Sequence, residues 1–358
     1  MTVPTTPNRP LSTRDEPEVF GTITLRYNET LDFLENASFD QNIVCYDDKY
    51  QNNQSLSLVF RRHMQEVHGL LKKQHPKGSK FVEVGCGKGD FVELALADEW
   101  FEIEGYDGAY DGANPRIHKR YLDDTDRIES DLVVLRHVLE HIQRPHKFLA
   151  QLARIFGSTD IYIEVPDYRW IAEEGSFFDI TYEHVNYFNA KSLSCFFATV
   201  NQHGYLFDGQ YQYIIANLGE LDGGRFADGY ESDGWQYETF DDLFPSFASK
   251  IEEIQRRMPG PGSNLYVWGA ATKGVMFLHH LKRIDRDFFS RFRGAIDINE
   301  KKIGKYLPST KLPIINPATY TDCAEPGDLI VISNPNYKDE IVAGLALAGL
   351  ADISTMCL

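Results

Sequence analysis

Apolar residues along the chain gather in short runs separated by glycine turns and by stretches with helical spacing, the pattern of alternating strands and helices. Phe-Val-Glu-Val at 81–84 runs into Gly-Cys-Gly-Lys-Gly-Asp at 85–90, and residues 91–97 then take up helical spacing. Buried-strand runs recur at 101–107, 131–136 and 161–166, where Pro166 stops the ladder. A helix is predicted over 55–73, and Asn189 is placed to cap another over 190–200. Residues 219–234, rich in Gly and Asp, read as a surface excursion, and 240–258 as helical. Pro-Gly-Pro-Gly-Ser at 259–263 marks a boundary, after which the alternation resumes. There the pattern predicts a strand at 264–268, a helix at 273–282, strands at 294–297 and 328–333, and an amphipathic helix at 337–350. The organisation expected is a disordered tail (1–18), an N-terminal substrate-side segment (19–75), a first α/β core (76–217), a loop and linker helix (218–263) and a C-terminal α/β domain (264–358).

The turn at 85–90 carries the chemistry. Gly85, Gly87 and Gly89 allow positive φ and close approach of a ligand. A dinucleotide turn, G-x-G-x-x-G, would need its third glycine where Asp90 stands. Asp107 ends the next strand, 18 residues past Gly89, where a carboxylate can accept from both ribose hydroxyls; Glu104, inside the strand, is the weaker candidate. The pattern E-x-G-x-G-x-G, Asp107 and the box His137-Val-Leu-Glu-His141 together resemble the class I S-adenosylmethionine-dependent methyltransferases. The resemblance implies a Rossmann-like core that binds S-adenosylmethionine through Glu83, Gly85, Gly87, Gly89 and Asp107, releasing S-adenosylhomocysteine. It further implies Asp123 or Asp124 near the adenine, against the alternative of an acidic surface loop, and Arg136 and His137 beside the cofactor.

A second glycine turn, Gly269-Ala-Ala-Thr-Lys-Gly274, opens the later unit and is no Walker loop, because Lys-Ser/Thr does not close it. The helix start at Thr272 and Lys273 could accept a phosphate, or could be a cap and a surface lysine. Residues 266–274 and 295–317 resemble the C-terminal domain of the nucleotide-sugar C-methyltransferases, a likeness that spans roughly 46–350. Where that family has Trp-Asn in its closing element, this chain has Ser333-Asn-Pro-Asn336. The resemblance implies a second Rossmann-like α/β domain and a sugar-nucleotide cleft between the two. It maps Tyr182, Glu183 and His184 onto the sugar as catalytic residues and Tyr46 and Tyr50 near the substrate, with Lys273 at the helix start a substrate-binding candidate from its own turn. Carbon methylation next to a ketone, at C3 by this likeness, needs a base, and histidine titrates close to working pH. A phenol or other donor then steadies the enolate oxygen. Glu183 is a second base or an orienting group, and which of the three is the base stays open. The family's paired Cys-x-x-Cys zinc module is absent, so O-methylation of a sugar or other hydroxylated metabolite stays an alternative, and a non-catalytic cofactor-binding role a second one.

Composition narrows the partners. A formal net charge of −17 argues against a nucleic-acid binder, which needs a basic surface for phosphates. Five scattered cysteines give neither a disulfide framework nor a metal set, so no metal is expected. No apolar run approaches membrane-spanning length and no signal-peptide core opens the chain. The expectation is a cytoplasmic enzyme, monomer or homodimer, acting on a small molecule, a nucleotide sugar by resemblance.

Overall fold

The structure is a computed structural model that describes residues 1–47, 49–258 and 262–358; the boundary expected at 259–263 therefore falls partly outside the described residues. Four sheets organise the described residues. The largest has seven strands in the order Val200–Leu206, Tyr211–Asn217, Asp160–Pro166, Leu132–Arg136, Lys80–Val84, Glu102–Tyr106, Ile117–His118. Its last five strands run parallel, while Tyr211–Asn217 pairs antiparallel with both its neighbours. Every residue of Leu132–Arg136 is buried, as continuous apolar runs in a sheet covered on both faces must be. The helix Leu58–Lys72, N-capped by Ser57, lays Phe60, Met64, Val67 and Leu71 against the sheet at helical spacing.

A five-stranded, wholly parallel sheet forms the C-terminal unit in the order Ile314–Ile315, Phe292–Ile296, Leu265–Trp268, Leu329–Ile332, Ser354–Cys357. Its first crossover helix, Thr272–Ile284, buries Val275, Met276, Phe277, Leu278 and Leu281. The expected α/β class with two Rossmann-like sheets is the observed one.

Two expectations are overturned. Residues 1–18 are no loose tail: Thr2–Pro4 pairs antiparallel with Phe20–Thr22, Leu11 bridges Tyr306 and Val3 is fully buried. The reason is that apolar positions three and eleven find partners on the C-terminal unit, and its loop accepts the backbone ladder. The excursion at 219–234 holds a short helix, Arg225–Tyr230, that buries Phe226 and Tyr230. The strand that follows, Trp235–Glu238, joins Leu25–Asn28, Phe33–Asn36 and Asn186–Tyr187 in a four-stranded antiparallel sheet. Strands of two to four residues carry too few alternations to read as strands in sequence.

That small sheet positions the site. Leu25, Leu34, Phe177, Ile180 and Tyr187 belong to one buried cluster with Val267, Phe277 and Leu281 of the C-terminal unit. The loop 176–187 is thus clamped between the N-terminal sheet and the second Rossmann-like unit.

Candidate active site

The first glycine turn is built as its sequence demands. Gly85, Gly87 and Gly89 have φ of 73°, 56° and 84°, which side-chained residues rarely adopt. A Cβ on Gly85 would fall 2.5 Å from Val138, and one on Gly89 2.3 Å from Ile117, whereas one on Gly87 would meet nothing within 4 Å. Gly87 therefore borders open space onto which a ligand can lie. Asp107 turns back onto this loop: Oδ2 accepts from the Gly87 N–H at 2.8 Å and Oδ1 from Ala109 N–H at 2.7 Å. Burial raises its pKa above the ordinary carboxylate value.

The second glycine turn repeats the device. Gly269, at φ 111°, donates its N–H to Ile296 O at 2.8 Å, as Gly85 does to Tyr106 O at 2.8 Å. Asp297 follows Ile296 as Asp107 follows Tyr106, accepting from Ala270 N–H and Asn299 N–H, each at 2.8 Å. Lys302 Nζ lies 3.5 Å from the same carboxylate.

Behind the first turn lies a charged network whose centre the sequence reading missed. Glu164, wholly buried on Asp160–Pro166, accepts from Tyr162 Oη at 2.6 Å, with His63 Nε2 at 3.1 Å, Arg136 Nη2 at 3.2 Å and His137 Nε2 at 3.0 Å from its carboxylate. Burial works against its charge, yet His63 and Arg136 beside it hold its carboxyl well below the usual range. Burial likewise opposes a charge on His137, but the carboxylates of Glu140 and Glu164, 3.7 Å and 3.0 Å from its ring nitrogens, raise it to about 9, an imidazolium at neutral pH. His137 takes φ 53° at the strand end, a conformation held by this network. Glu83 sits 3.9 Å from Arg136 Nη1, and burial lifts it to about 7. Alternating Tyr162, Glu164 and Pro166 read as an ordinary strand edge, so only the fold could reveal Glu164 as a hub.

The carboxyl end of this sheet opens into a cavity of about 450 Å³ that reaches the second glycine turn. Glu183 and His184 line it with Tyr50, His137, Glu140 and His141, and across from them stand Gly269, Thr272, Lys273 and Asp297. Tyr50 Oη donates to Glu183 Oε2 at 2.7 Å, and burial nevertheless pushes Glu183 up to about 8. Burial, with the neighbouring His141, His137 and Lys273, drives His184 well below its ordinary value, so its imidazole is neutral. His141 stacks edge-on against it, ring centres 4.9 Å apart, and burial lowers its pKa also. His141 closes the motif in which the sequence reading names only His137 as a site residue; its i+4 spacing from His137 is the available signal.

The remaining candidates separate. Tyr46 Oη lies 3.1 Å from His141 Nδ1, though Tyr46 itself does not line the cavity. Lys273 points into the cavity but is ion-paired with Asp179 and lies over the Trp170 and Phe178 rings. Tyr182 is corrected: its ring packs on Gly21, its hydroxyl accepts from Asp40 N–H at 2.8 Å, and it does not line the cavity. Tyr182 is committed to the core, in the same buried cluster as Phe177, Ile180 and Tyr187. Asp123 and Asp124 lie in an exposed loop, Asp123 accepting from Thr125 N–H at 2.8 Å and Asp124 pairing with Arg154 at 2.8 Å. Among the described residues, two sets have metal-ligand atoms within 4.8 Å of one another: His63, His137 and Glu164, and Glu140, His141 and His184. No helix of the described residues is long and apolar enough to cross a membrane.

Residues 56–201 match the family described as a methyltransferase domain, and residues 232–350 match the C-methyltransferase C-terminal domain. No curated protein matches the chain. Among solved structures, the methyltransferase domain of bacterial CtHen1 is similar at 18% identity over 44% of this chain and 98% of that one, with a TM-score of 0.36. A SAM-dependent methyltransferase from Archaeoglobus fulgidus is similar at 17% identity over 45% and 100%, TM-score 0.32. Magnesium protoporphyrin IX methyltransferase from Synechocystis PCC 6803, with bound SAM, is similar at 14% identity over 47% and 86%, TM-score 0.33. The chain thus pairs a methyltransferase domain with a C-methyltransferase C-terminal domain.

Proposed function

We propose that this methyltransferase, with those two domains facing one cavity, methylates a carbon next to the ketone of a nucleotide-linked deoxyketosugar, C3 being the position favoured. The residues suit S-adenosylmethionine as donor: Gly87 leaves room for a ligand against the backbone, and Asp107 offers a carboxylate at the ribose position. When bound, that donor supplies an electrophilic methyl on sulfur. Arg136, His137 and Glu83 line the adjoining strand ends.

The observation that carries the reading is the pairing of Glu183 and His184 in one cavity with their titrations pushed apart. His184 is neutral and has a lone pair for a proton on carbon, while Glu183, at about 8, keeps its proton at neutral pH. A neutral imidazole beside a protonated carboxyl is the arrangement for enolisation: His184 takes the proton, and Glu183 donates a hydrogen bond to the ketone oxygen as charge develops there. A hydroxyl acceptor would need the base but not the acid.

For the nucleotide, Asp297 supports the reading. It holds in the second turn the place of Asp107 in the first, and Ile298, Pro317 and Thr321 form a wall beside it in the same cavity. A carboxylate for ribose hydroxyls beside an apolar slot fits a nucleoside.

The test is incubation with a panel of nucleotide-linked 4-keto-6-deoxysugars in deuterium oxide, with and without S-adenosylmethionine, read by mass spectrometry and proton NMR. Exchange at C3 that depends on His184, then a carbon-bound methyl, is the expected result. An oxygen-bound methyl without exchange would favour O-methylation, and no product on any ketosugar would overturn the substrate class.

A further inference from the structure

Resting on the nucleotide-sugar reading, we infer that Gln210 is a substrate-binding residue, its amide held so that Nε2 donates to an acceptor oxygen of the sugar or of its linking diphosphate. Gln210 lies at the tip of the hairpin between Val200–Leu206 and Tyr211–Asn217, beside the carboxyl end of Asp160–Pro166. The turn takes positive φ three times running, at Phe207, Asp208 and Gly209, and Gln210 O accepts from Asp167 N–H at 2.9 Å. Gln210 is 5% exposed and lines the cavity.

Against it stands Ser333-Asn-Pro-Asn336, the segment in which this chain departs from the Trp-Asn of the sequences it resembles. Asn334 Nδ2 and Asn336 Nδ2 donate to Gln210 Oε1 at 3.2 Å and 3.0 Å. How these amides are turned follows from backbone groups, whose donor and acceptor roles are fixed. Asn336 Nδ2 also donates to Phe207 O at 3.0 Å, and Asn334 Oδ1 accepts from Asn336 N–H at 3.1 Å. Two NH2 groups thus converge on Gln210, and only an oxygen can meet both. Its own Nε2 is turned away from them, and among the described residues it makes no hydrogen bond. A buried amide with two unclaimed hydrogens on a cavity wall is a donor set to receive an acceptor. That acceptor belongs to the substrate: Gly269, Lys273 and Asp297 of the second unit line the cavity, whereas Gly85, Gly87 and Asp107, which suit the cofactor, do not. Asn336 does not line it either, so it acts through Gln210 as a positioning residue.

Gln210→Glu tests this with little change of shape, since Oε1 still accepts from both asparagines and an acceptor oxygen replaces the donor. Measured by calorimetry on the full chain at neutral pH, affinity for a nucleotide-linked 4-keto-6-deoxysugar should fall about 10- to 100-fold. Affinity for S-adenosylmethionine should stay within about twofold. Uridine and thymidine diphosphates, run in parallel, separate the sources. An equal loss on a diphosphate alone puts the contact on phosphate, and a loss only with the sugar attached puts it on a sugar oxygen. Asn336→Ala should raise KM about three- to tenfold with little change in kcat, and should add nothing in the Gln210→Glu background, the mark of one residue acting through another. Unchanged affinity in Gln210→Glu, or additive losses in the double variant, would overturn the inference. Side-chain amide exchange, followed by NMR without substrate, separates this test from the sugar assignment: the Gln210 NH2 should exchange faster than that of Asn336, whose nitrogen serves two oxygens. The reverse order would overturn the orientation even where a ketosugar reacts, whereas a wild type that binds no nucleotide sugar fails the substrate reading and this assignment with it.

Discussion

His141 Nδ1 lies 2.9 Å from the carbonyl oxygen of Glu183, and only a proton on Nδ1 makes that contact a hydrogen bond. Nε2 of His141 then holds the lone pair. Edge-on stacking with His184 puts two neutral imidazoles side by side, so their substitution is the first test of which is the base. His184→Asn should abolish methyl transfer and carbon-bound exchange while cofactor affinity stays within twofold, measured by calorimetry. His141→Asn, which removes an aromatic neighbour and the tie to Glu183 O, should lower kcat by about 10- to 100-fold and leave exchange detectable. The reverse ranking would make His141 the base.

The titrations of Glu183 and His184 set a window for activity. His184 must be neutral, so the acid limb of kcat should fall below pH 6.5, its ordinary value. Glu183 must be protonated, so activity should decline as pH rises past about 8. In Glu183→Gln the basic limb should vanish, with kcat reduced about 10- to 100-fold. A flat profile from pH 7 to 9.5 in the wild type would remove Glu183 as donor.

Folding stability carries the same signature. The folded-state pKa of Glu183, about 8, stands above its ordinary 4.5, so the folded chain keeps a proton the unfolded chain gives up. Stability from this group is full below about pH 4.5 and lost as pH climbs towards 8. Glu183→Gln should accordingly gain on the wild type between pH 5 and pH 9, by about 1–3 kcal/mol in urea unfolding.

The twin carboxylates predict separable losses. Asp107→Ala should weaken S-adenosylmethionine by roughly 10- to 100-fold, the worth of hydrogen bonds to a charged group, and leave the affinity of the nucleotide portion unchanged. Asp297→Ala should do the opposite. Calorimetry with cofactor and with a nucleoside diphosphate, each on both variants, checks the pairing; parallel losses would show that the second turn holds no nucleoside.

Glu164→Gln should cost about 3–5 kcal/mol in urea unfolding, because it leaves Arg136 and His137 without their shared counter-charge in a buried place. The His137 titration should fall from about 9 towards the ordinary histidine range, which NMR can follow. Tyr182→Phe, by contrast, should cost about 1 kcal/mol for the lost bond from Asp40 N–H and leave kcat within twofold.

Periodicity and glycine spacing made both Rossmann-like sheets legible, since fully buried parallel strands must be continuous apolar runs. Glu183 and His184 stood out because they sit in a motif; Glu164 did not, because its role comes from partners as far as 101 positions away. Tyr182 misled for a related reason. The chain bends at 182–183, sending Glu183 into the cavity and the Tyr182 ring into the core, so three consecutive residues do not share one wall. The tail at 1–18 looked unstructured because its few apolar residues have no local partners, and its order depends on the far end of the chain.

A Cβ on Gly274 would sit 2.1 Å from Gly269 O, so the C-terminal helix rides on its own turn with no side chain between them. Contact that close leaves no slack: the helix cannot tilt or slide without dragging the strand Leu265–Trp268 along. One bank of the cavity is therefore a fixed abutment. Movement of the mouth during entry and departure of ligands then has to come from the elements that face this bank.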